Sequence, residues 1–251
     1  MTAAYVIRKR ITDQGPDSLW AFDDFSSLPQ YAVAKALSRF TMEGLIQRVR
    51  KGLYYYPKQT ALGPSHPGTS ALLAKTFKKS KGMAVYSGGT ASFQNLGITS
   101  QIPAQYTLLS DMVSRKMSIG SLTVRIQRRS LAHLGGATQE DIWILDSVRN
   151  LKHVPDSTPA DAVAKIVNRL QDLMRSSGRS KGASQGTTVK RLLRFAQGEP
   201  PRVRAVLGAI AERIGYHGPE GGALKNSLNP LTKFHLGIKS VLPNTQSWNI
   251  V

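Results

Sequence analysis

The chain has 251 residues, with 34 Lys and Arg against 15 Asp and Glu, and a formal net charge of +19. This excess attracts polyanions, with nucleic acid first among them, and the length suggests two domains. The absence of cysteine excludes disulfides and thiolate metal sites. The sequence shows neither a signal peptide nor an apolar run of transmembrane length, so a cytoplasmic protein is expected.

The N-terminal part alternates helical and extended patterns. Residues 3–12 predict a short helix, residues 19–22 a strand and residues 23–28 a second short helix. Pro29 suits the first turn of a longer helix, because its backbone angle is already helical. The apolar residues of that longer helix recur at helical spacing and predict one buried face, made of Val33, Ala36, Leu37 and Phe40.

A glycine ends this helix at position 44, and a β-hairpin is predicted to follow. The segments IQRV and LYYY flank a turn at Gly52, where the lack of a side chain permits the backbone angles of a tight turn. The run Tyr54–Tyr56 lies on the return strand and predicts core side chains on alternating faces, since tyrosine favours strands. A stacking platform for single-stranded nucleic acid is the alternative interpretation.

Tyr31, Lys35, Ser38 and Met42 lie opposite the buried stripe, with Arg39 at its flank. This face carries an aromatic ring, two cations and a hydroxyl, with no acid before Glu43. Such a face fits the major groove of DNA, where Arg and Lys bind guanine while Ser and Tyr bind bases or phosphates. Cations of the hairpin would then lie near the adjacent phosphates. The predicted DNA-binding residues are Gln30, Tyr31, Lys35, Ser38, Arg39, Arg48, Arg50 and Lys51.

The order of these elements, three helices and then a two-stranded wing, predicts a winged helix-turn-helix DNA-binding domain over residues 1–60. The alternative is that the helix and the hairpin only pack against a core and that their cations serve solubility. Residues 61–69 are rich in glycine and proline and predict a linker to a second domain, 70–251.

The second domain mixes both kinds of element. Helices are predicted over 71–82, 90–97, 158–177, 189–197 and 202–214, and strands over 83–87, 106–109 and 122–126. The glycine- and serine-rich stretch 176–188 predicts a mobile loop. A mixed α+β domain with a helical C-terminal part is therefore expected.

No catalytic constellation can be argued from the sequence, so no enzyme activity, cofactor or metal is expected. The histidines are scattered without metal-ligand spacing. SGGTAS (Ser87–Ser92) follows a predicted strand, as phosphate loops do, but it lacks the lysine of a P-loop, and helix capping by Ser87 or Thr90 is preferred. Asp141 and Asp146 enclose an apolar run that favours a buried strand or helix over a catalytic carboxylate pair.

ALSRFTMEGLIQRVRKGLYYYPK (Ala36–Lys58) resembles the N-terminal winged helix of AbiEi-type antitoxins, from abortive-infection toxin–antitoxin systems. Two later stretches are similar to the same branch of that family: VYSGGTASFQNLGITSQIPAQYTLLSD (Val85–Asp111) and SLNPLTKFHLGIKSVLPNTQSWNIV (Ser227–Val251). The resemblance implies a bacterial antitoxin that represses its own operon by binding DNA, with inverted repeats in the operator. The implied functional partner is a nucleotidyltransferase-like toxin, opposed in the type IV manner without a stable complex.

The expected fold class is α+β, with an N-terminal winged helix-turn-helix, a mixed α/β antitoxin-like domain and a helical C-terminal region. Two other functions remain open. Positive charge beyond the winged helix, together with the tyrosine run, also fits an RNA-binding or ribonucleoprotein module. A basic C-terminal region that binds an acidic toxin surface directly is the third possibility.

Overall fold

A computed structural model describes residues 2–77, 85–177 and 187–251. These residues form a mixed α+β structure, which confirms the predicted class and its helical C-terminal region. The chain divides into two compact units. The first takes in the described residues among 1–83 together with 117–124, and the second takes in the described residues among 84–116 and 125–251.

The first unit follows the predicted order of elements. Its helices are α1 (Ala3–Gln14), α2 (Gln30–Met42) and α3 (Thr69–Phe77), and its strands are β1 (Ser18–Ala21), β2 (Gln47–Arg50), β3 (Leu53–Tyr56), β4 (Gln59–Thr60) and β5 (Gly63–Pro64). A short 3-10 helix, Phe22–Phe25, lies between β1 and α2. The first three strands form an antiparallel sheet of order β1-β3-β2 with β3 in the centre.

The core of the first unit is the apolar stripe of α2 packed with α1 and the sheet. All four residues of the predicted stripe are buried. They cluster with two isoleucines of α1 and with rings from β1 and the 3-10 helix, namely Ile7, Ile11, Trp20 and Phe25. Each large side chain buried in this way contributes about 1.5–3 kcal/mol, so the stripe holds α2 in one rotational setting.

The predicted hairpin forms from β2 and β3, and Gly52 in its turn has a φ of +77°. Tyr54 and Tyr55 are buried on this hairpin, which confirms the core interpretation of the tyrosine run over the stacking platform. The Tyr55 hydroxyl donates a hydrogen bond to Asp17 at 2.6 Å. This bond joins the return strand to the residue that precedes β1.

Part of the predicted linker is structured. β4 and β5 pair as a small hairpin, and the Ser65 hydroxyl accepts a hydrogen bond from the Lys58 amide at 2.8 Å. The helix predicted over 71–82 begins at Thr69, and residues 78–84 lie outside the described part of the chain. The domain boundaries at 60 and 70 stay a prediction.

The second unit contains most of the helices and most of a four-stranded sheet, of which residues 117–124 belong to the first unit. The strands of this sheet are β6 (Val85–Gly88), β7 (Tyr106–Ser110), β8 (Arg115–Ile119) and β9 (Leu122–Arg128), and the helices of the second unit are α4 (Thr90–Asn95), α5 (Gln139–Arg149), α6 (Pro159–Ser177), α7 (Thr187–Ala196), α8 (Pro201–Arg213) and α9 (Pro219–Asn226). The sheet order is β6-β7-β9-β8, and β8 was not predicted. No helix among the described residues combines the length and the apolar character needed to cross a bilayer.

Helices α6, α7 and α8 of the second unit lie within two residues of their predicted bounds. α6 begins behind Thr158, whose hydroxyl accepts a hydrogen bond from the amide of Asp161 at 3.1 Å. Of the predicted loop 176–188, Ser177 ends α6 and Thr187 begins α7, while residues 178–186 lie outside the described residues.

The predicted capping of α4 by a serine or threonine side chain was wrong. Gly89 is the N-cap, with a φ of +64°, and no side chain caps the helix. Its amide instead donates to a carboxylate oxygen of Asp146, 57 residues later, at 2.7 Å. The Ser87 hydroxyl accepts a hydrogen bond from the indole of Trp143 at 2.9 Å. Tertiary partners on α5 have therefore taken the place of local capping.

Helix α8 is buried over most of its surface and lies at the centre of the second core. Trp248, from a 3-10 helix near the C-terminus, packs directly on it. The approach is so close that a Cβ atom at Gly208 would lie 2.1 Å from the Trp248 ring. Only glycine therefore leaves room for the indole at this point.

We expect Gly208→Ala to lower the free energy of unfolding by at least about 1–3 kcal/mol, because the added methyl group overpacks the core. Urea denaturation measures the loss. Gly222→Ala in α9 is the matched control, because nothing lies within 4 Å of a Cβ built there. That control should raise stability by up to about 1 kcal/mol, since alanine favours helix. Equal effects of the two changes would contradict the close packing.

Candidate nucleic-acid interface

Helix α2 presents the candidate interface because its bounds and its buried stripe set which residues face solvent. Pro29, at the N-cap position, starts the helix one residue later than predicted. Gly44, with a φ of +74°, ends it. Between them the apolar stripe faces the core, so the opposite side of the helix is left outside.

All five predicted DNA-binding residues of α2 are exposed, and Tyr31 is 80% exposed. They are Gln30, Tyr31, Lys35, Ser38 and Arg39. Met42, which the helical spacing sets opposite the buried stripe, is 79% exposed, and the structure adds Ala34 as a further exposed apolar residue.

A groove of about 460 Å³ runs along this face between α2 and the start of α1. Its apolar lining is mostly alanine, and its polar lining includes Lys35, Ser38 and Arg39. Small apolar groups beside hydrogen-bond donors are suited to the edges of base pairs, where a thymine methyl lies next to acceptor atoms.

The three predicted residues of the hairpin occupy a different part of the first unit. Arg48 and Lys51 are exposed, and Arg50 is half-buried. Arg50 and Lys51 line a small cleft with Lys75 of α3, and none of its lining residues lines the α2 groove. The structure therefore gathers the eight predicted residues into two clusters, five on the helix and three on the hairpin.

Glu43, at the C-terminal end of α2, is the first acidic residue on the exposed face of this helix, and its carboxylate has partners. Its carboxylate forms an ion pair with Arg39 at 3.3 Å and a second one with Arg8 of α1. The guanidinium groups of Arg8 and Arg39 both lie over the Phe40 ring, with centroid distances of 4.5 and 5.4 Å. These contacts give the partly exposed Arg39 side chain partners at the end of the helix. The i,i+4 spacing of Arg39 and Glu43 was the available sequence signal.

A second charged cluster is buried in the second unit. Arg129 donates to Asp146 at 3.1 Å and to Glu199 at 2.6 Å. Glu199 also accepts from Arg149 at 2.6 Å, and its other oxygen lies 3.1 Å from a ring nitrogen of His133. Because these residues come from the end of β9, from α5 and from the α7–α8 turn, the cluster ties three elements together.

The electrostatics of this cluster fit a structural role. Burial disfavours the ionised form of Glu199, but the charges of Arg129 and Arg149 outweigh burial and hold the pKa of Glu199 below its ordinary value. Burial raises the pKa of Asp146, although Arg129 opposes the rise. Among the described residues, no group of three His, Cys, Asp or Glu side chains is placed to hold a metal ion. The cluster had no sequence signal, because its partners lie up to 70 residues apart.

These features describe a mixed α+β protein with an exposed, basic helix face on one unit and a buried ionic cluster in the other. The model of the family DUF6088, described as a family of unknown function, matches residues 6–179, and the chain belongs to this family. No curated protein matches the chain. The crystal structure of the RV2827C protein from Mycobacterium tuberculosis is similar, with a TM-score of 0.55 and 11% identity. The likeness covers 94% of this chain and 85% of that one, and it shows a shared fold.

We expect Glu199→Gln to lower the free energy of unfolding by about 3 kcal/mol at neutral pH, because the change leaves the buried Arg129 and the half-buried Arg149 without this partner. Since the pKa of Glu199 is lowered in the folded protein, its stabilisation is present above pH 4.5 and is lost as the pH falls below that value. Stability in urea, followed from neutral pH to below 4.5, should therefore fall less steeply for the variant.

Glu140→Gln is the matched control, because the ion pair of Glu140 with Arg169 is partly exposed. Such pairs contribute at most about 1 kcal/mol. A Glu199→Gln variant as stable as this control would show that the buried cluster contributes nothing net to folding.

Proposed function

We propose that the protein is a DNA-binding transcriptional autorepressor whose first unit is a winged helix-turn-helix. The observation that carries the proposal is the exposed polar face of α2, set by a buried stripe on its other side. The element order, helix, strand, short helix, long helix and two-stranded hairpin, is that of the winged helix. The sheet order, with the return strand of the hairpin between its partners, agrees with it.

In the proposed complex α2 lies in the major groove. Lys35 and Arg39 donate to guanine or to phosphates, and Gln30 pairs with adenine. The apolar groove beside them receives thymine methyl groups. Arg48 and Lys51 bind phosphates on the flanks, and Arg50 reaches the same backbone from its half-buried position.

The biological role that we propose is that of the antitoxin in a type IV, AbiE-like toxin–antitoxin system in the cytoplasm. Its support is the likeness of three stretches of the sequence, near its start, middle and end, to AbiEi-type antitoxins. The proposed DNA site is the protein's own operator, with inverted repeats. The proposed functional partner is a nucleotidyltransferase-like toxin, which is countered without a stable complex.

The positive charge of the second unit favours RNA as a second candidate ligand. A competition between duplex DNA and structured RNA at matched salt separates the two, and equal or tighter binding of RNA would favour an RNA-binding module. Co-purification with the product of the neighbouring gene tests direct neutralisation of a toxin. A stable complex would replace the indirect mode.

The first test titrates the whole chain against its own upstream DNA and against a scrambled duplex. We expect the upstream site to bind at least about a thousandfold more tightly. Gln30→Ala with Lys35→Ala should remove most of that preference, because base contacts are lost. Lys239→Ala, at an exposed lysine of the second unit, is the charge-matched control. A helix variant that keeps the full preference would rule out α2 as the reading helix.

Glu43→Gln tests the role of the acid that holds two arginines. The change frees Arg8 and Arg39 for phosphates, so binding to scrambled DNA should tighten and the preference for the upstream site should fall. The slope of log affinity against log salt should become steeper by about one unit for each new phosphate contact. Glu140→Gln in the second unit removes the same charge and serves as control. An unchanged slope would show that Glu43 does not restrain these cations.

A further inference from the structure

The hairpin of β8 and β9 has an unusual pair of like charges facing each other. Two residues connect the strands, and the first of them, Gly120, has a φ of +60°. This is the backbone of a two-residue hairpin turn with glycine at its first central position, and such a turn sets Ile119 opposite Leu122. Counting back along the strands, Lys116 lies directly opposite Arg125.

The burial pattern of the strands agrees with this register. Along β9, Val124 and Ile126 are buried, whereas the alternate residues Arg125 and Gln127 are exposed. Lys116 is exposed on β8. Because side chains alternate between the faces of a strand, Lys116, Arg125 and Gln127 share the outward face.

Two cations directly opposite each other on a sheet repel and destabilise the pair. Neither Lys116 nor Arg125 forms an ion pair with any other described residue. The sequence has no Asp or Glu between Asp111 and Glu140, so no acid adjacent in sequence relieves the repulsion. Two further exposed arginines, Arg115 and Arg128, lie at the same end of the hairpin.

Protection of the sheet edge does not account for this pair. Charges on an edge strand do prevent sheets from joining, and β8 is an edge strand. Arg125, however, lies on β9, which has a partner strand on each side. A polyanion that neutralises both cations does explain their juxtaposition.

We propose that the outward face of this hairpin, formed by Ser114, Lys116, Arg125 and Gln127, binds the phosphate backbone of duplex DNA. The proposal rests on the DNA-binding function proposed above and adds a second contact surface, in the second unit. The described outward positions of these two strands hold no aromatic side chain, so they offer no platform for stacking unpaired bases. Cations, a hydroxyl and an amide are the groups that position duplexes through phosphates.

The test compares the whole wild-type chain with Lys116→Gln plus Arg125→Gln. Affinities for the upstream duplex and for a scrambled duplex are measured over a range of salt concentrations. Loss of two phosphate contacts should reduce the slope of log affinity against log salt by about 1.8 units. The affinities for the two duplexes should fall by the same factor, because phosphate contacts carry no sequence information. The control, Lys152→Gln plus Lys239→Gln, removes the same charge from exposed positions elsewhere in the second unit and should leave the slope unchanged.

The melting temperature of the hairpin variant should equal or exceed that of the wild type, because like-charge repulsion is relieved. A slope no smaller than that of the control would overturn the proposal. If the hairpin variant loses more affinity for structured RNA than for duplex DNA, the proposal is overturned in favour of an RNA-binding surface. If the wild type shows no preference for its upstream DNA, the autorepressor function fails, whereas a reduced slope in the hairpin variant still supports the duplex-binding surface.

Discussion

Burial of one face of α2 is the constraint on which the first unit depends. The stripe around Leu37 and Phe40 packs on α1 and on the antiparallel sheet, and each large side chain there contributes about 1.5–3 kcal/mol. Rotating the helix would expose this stripe and lose that energy. The packing therefore fixes which residues of α2 meet solvent, and it turns a pattern of apolar residues into a defined polar surface with Tyr31 and Met42 projecting from it.

The second unit depends on a different kind of constraint. Arg129, Asp146 and Glu199 are all buried, and a buried charge is tolerated only when its partners are in place. The end of β9, α5 and the α7–α8 turn must therefore come together as a set. The backbone amide of Gly89, at the start of α4, also donates a hydrogen bond to Asp146. No side chain caps α4.

Both proposals place function on cations at the surface of the protein. In the first unit, Glu43 restrains two arginines at the end of the exposed helix face. In the second, Lys116 and Arg125 face each other with no acid beside them in the sequence. A protein selected only for stability would relieve such repulsion with a single Asp or Glu. The phosphate-rich ligand that both proposals require would give these cations a partner, and it agrees with a net charge of +19.

Local patterns in the sequence determined much of this structure. The helical period of α2 and α6, the turn at Gly52 and the burial of the tyrosines were all predictable. Each depends on the pattern of neighbouring residues, which the sequence displays directly. The five candidate residues on α2 were predictable for the same reason, since they lie opposite an apolar stripe. Only the tertiary structure decided the rest. The cap of α4, the partners of Glu199 and the ion pair of Arg8 with Glu43 join residues 35 to 70 positions apart. Such pairings depend on how elements pack, and no local spacing encodes them.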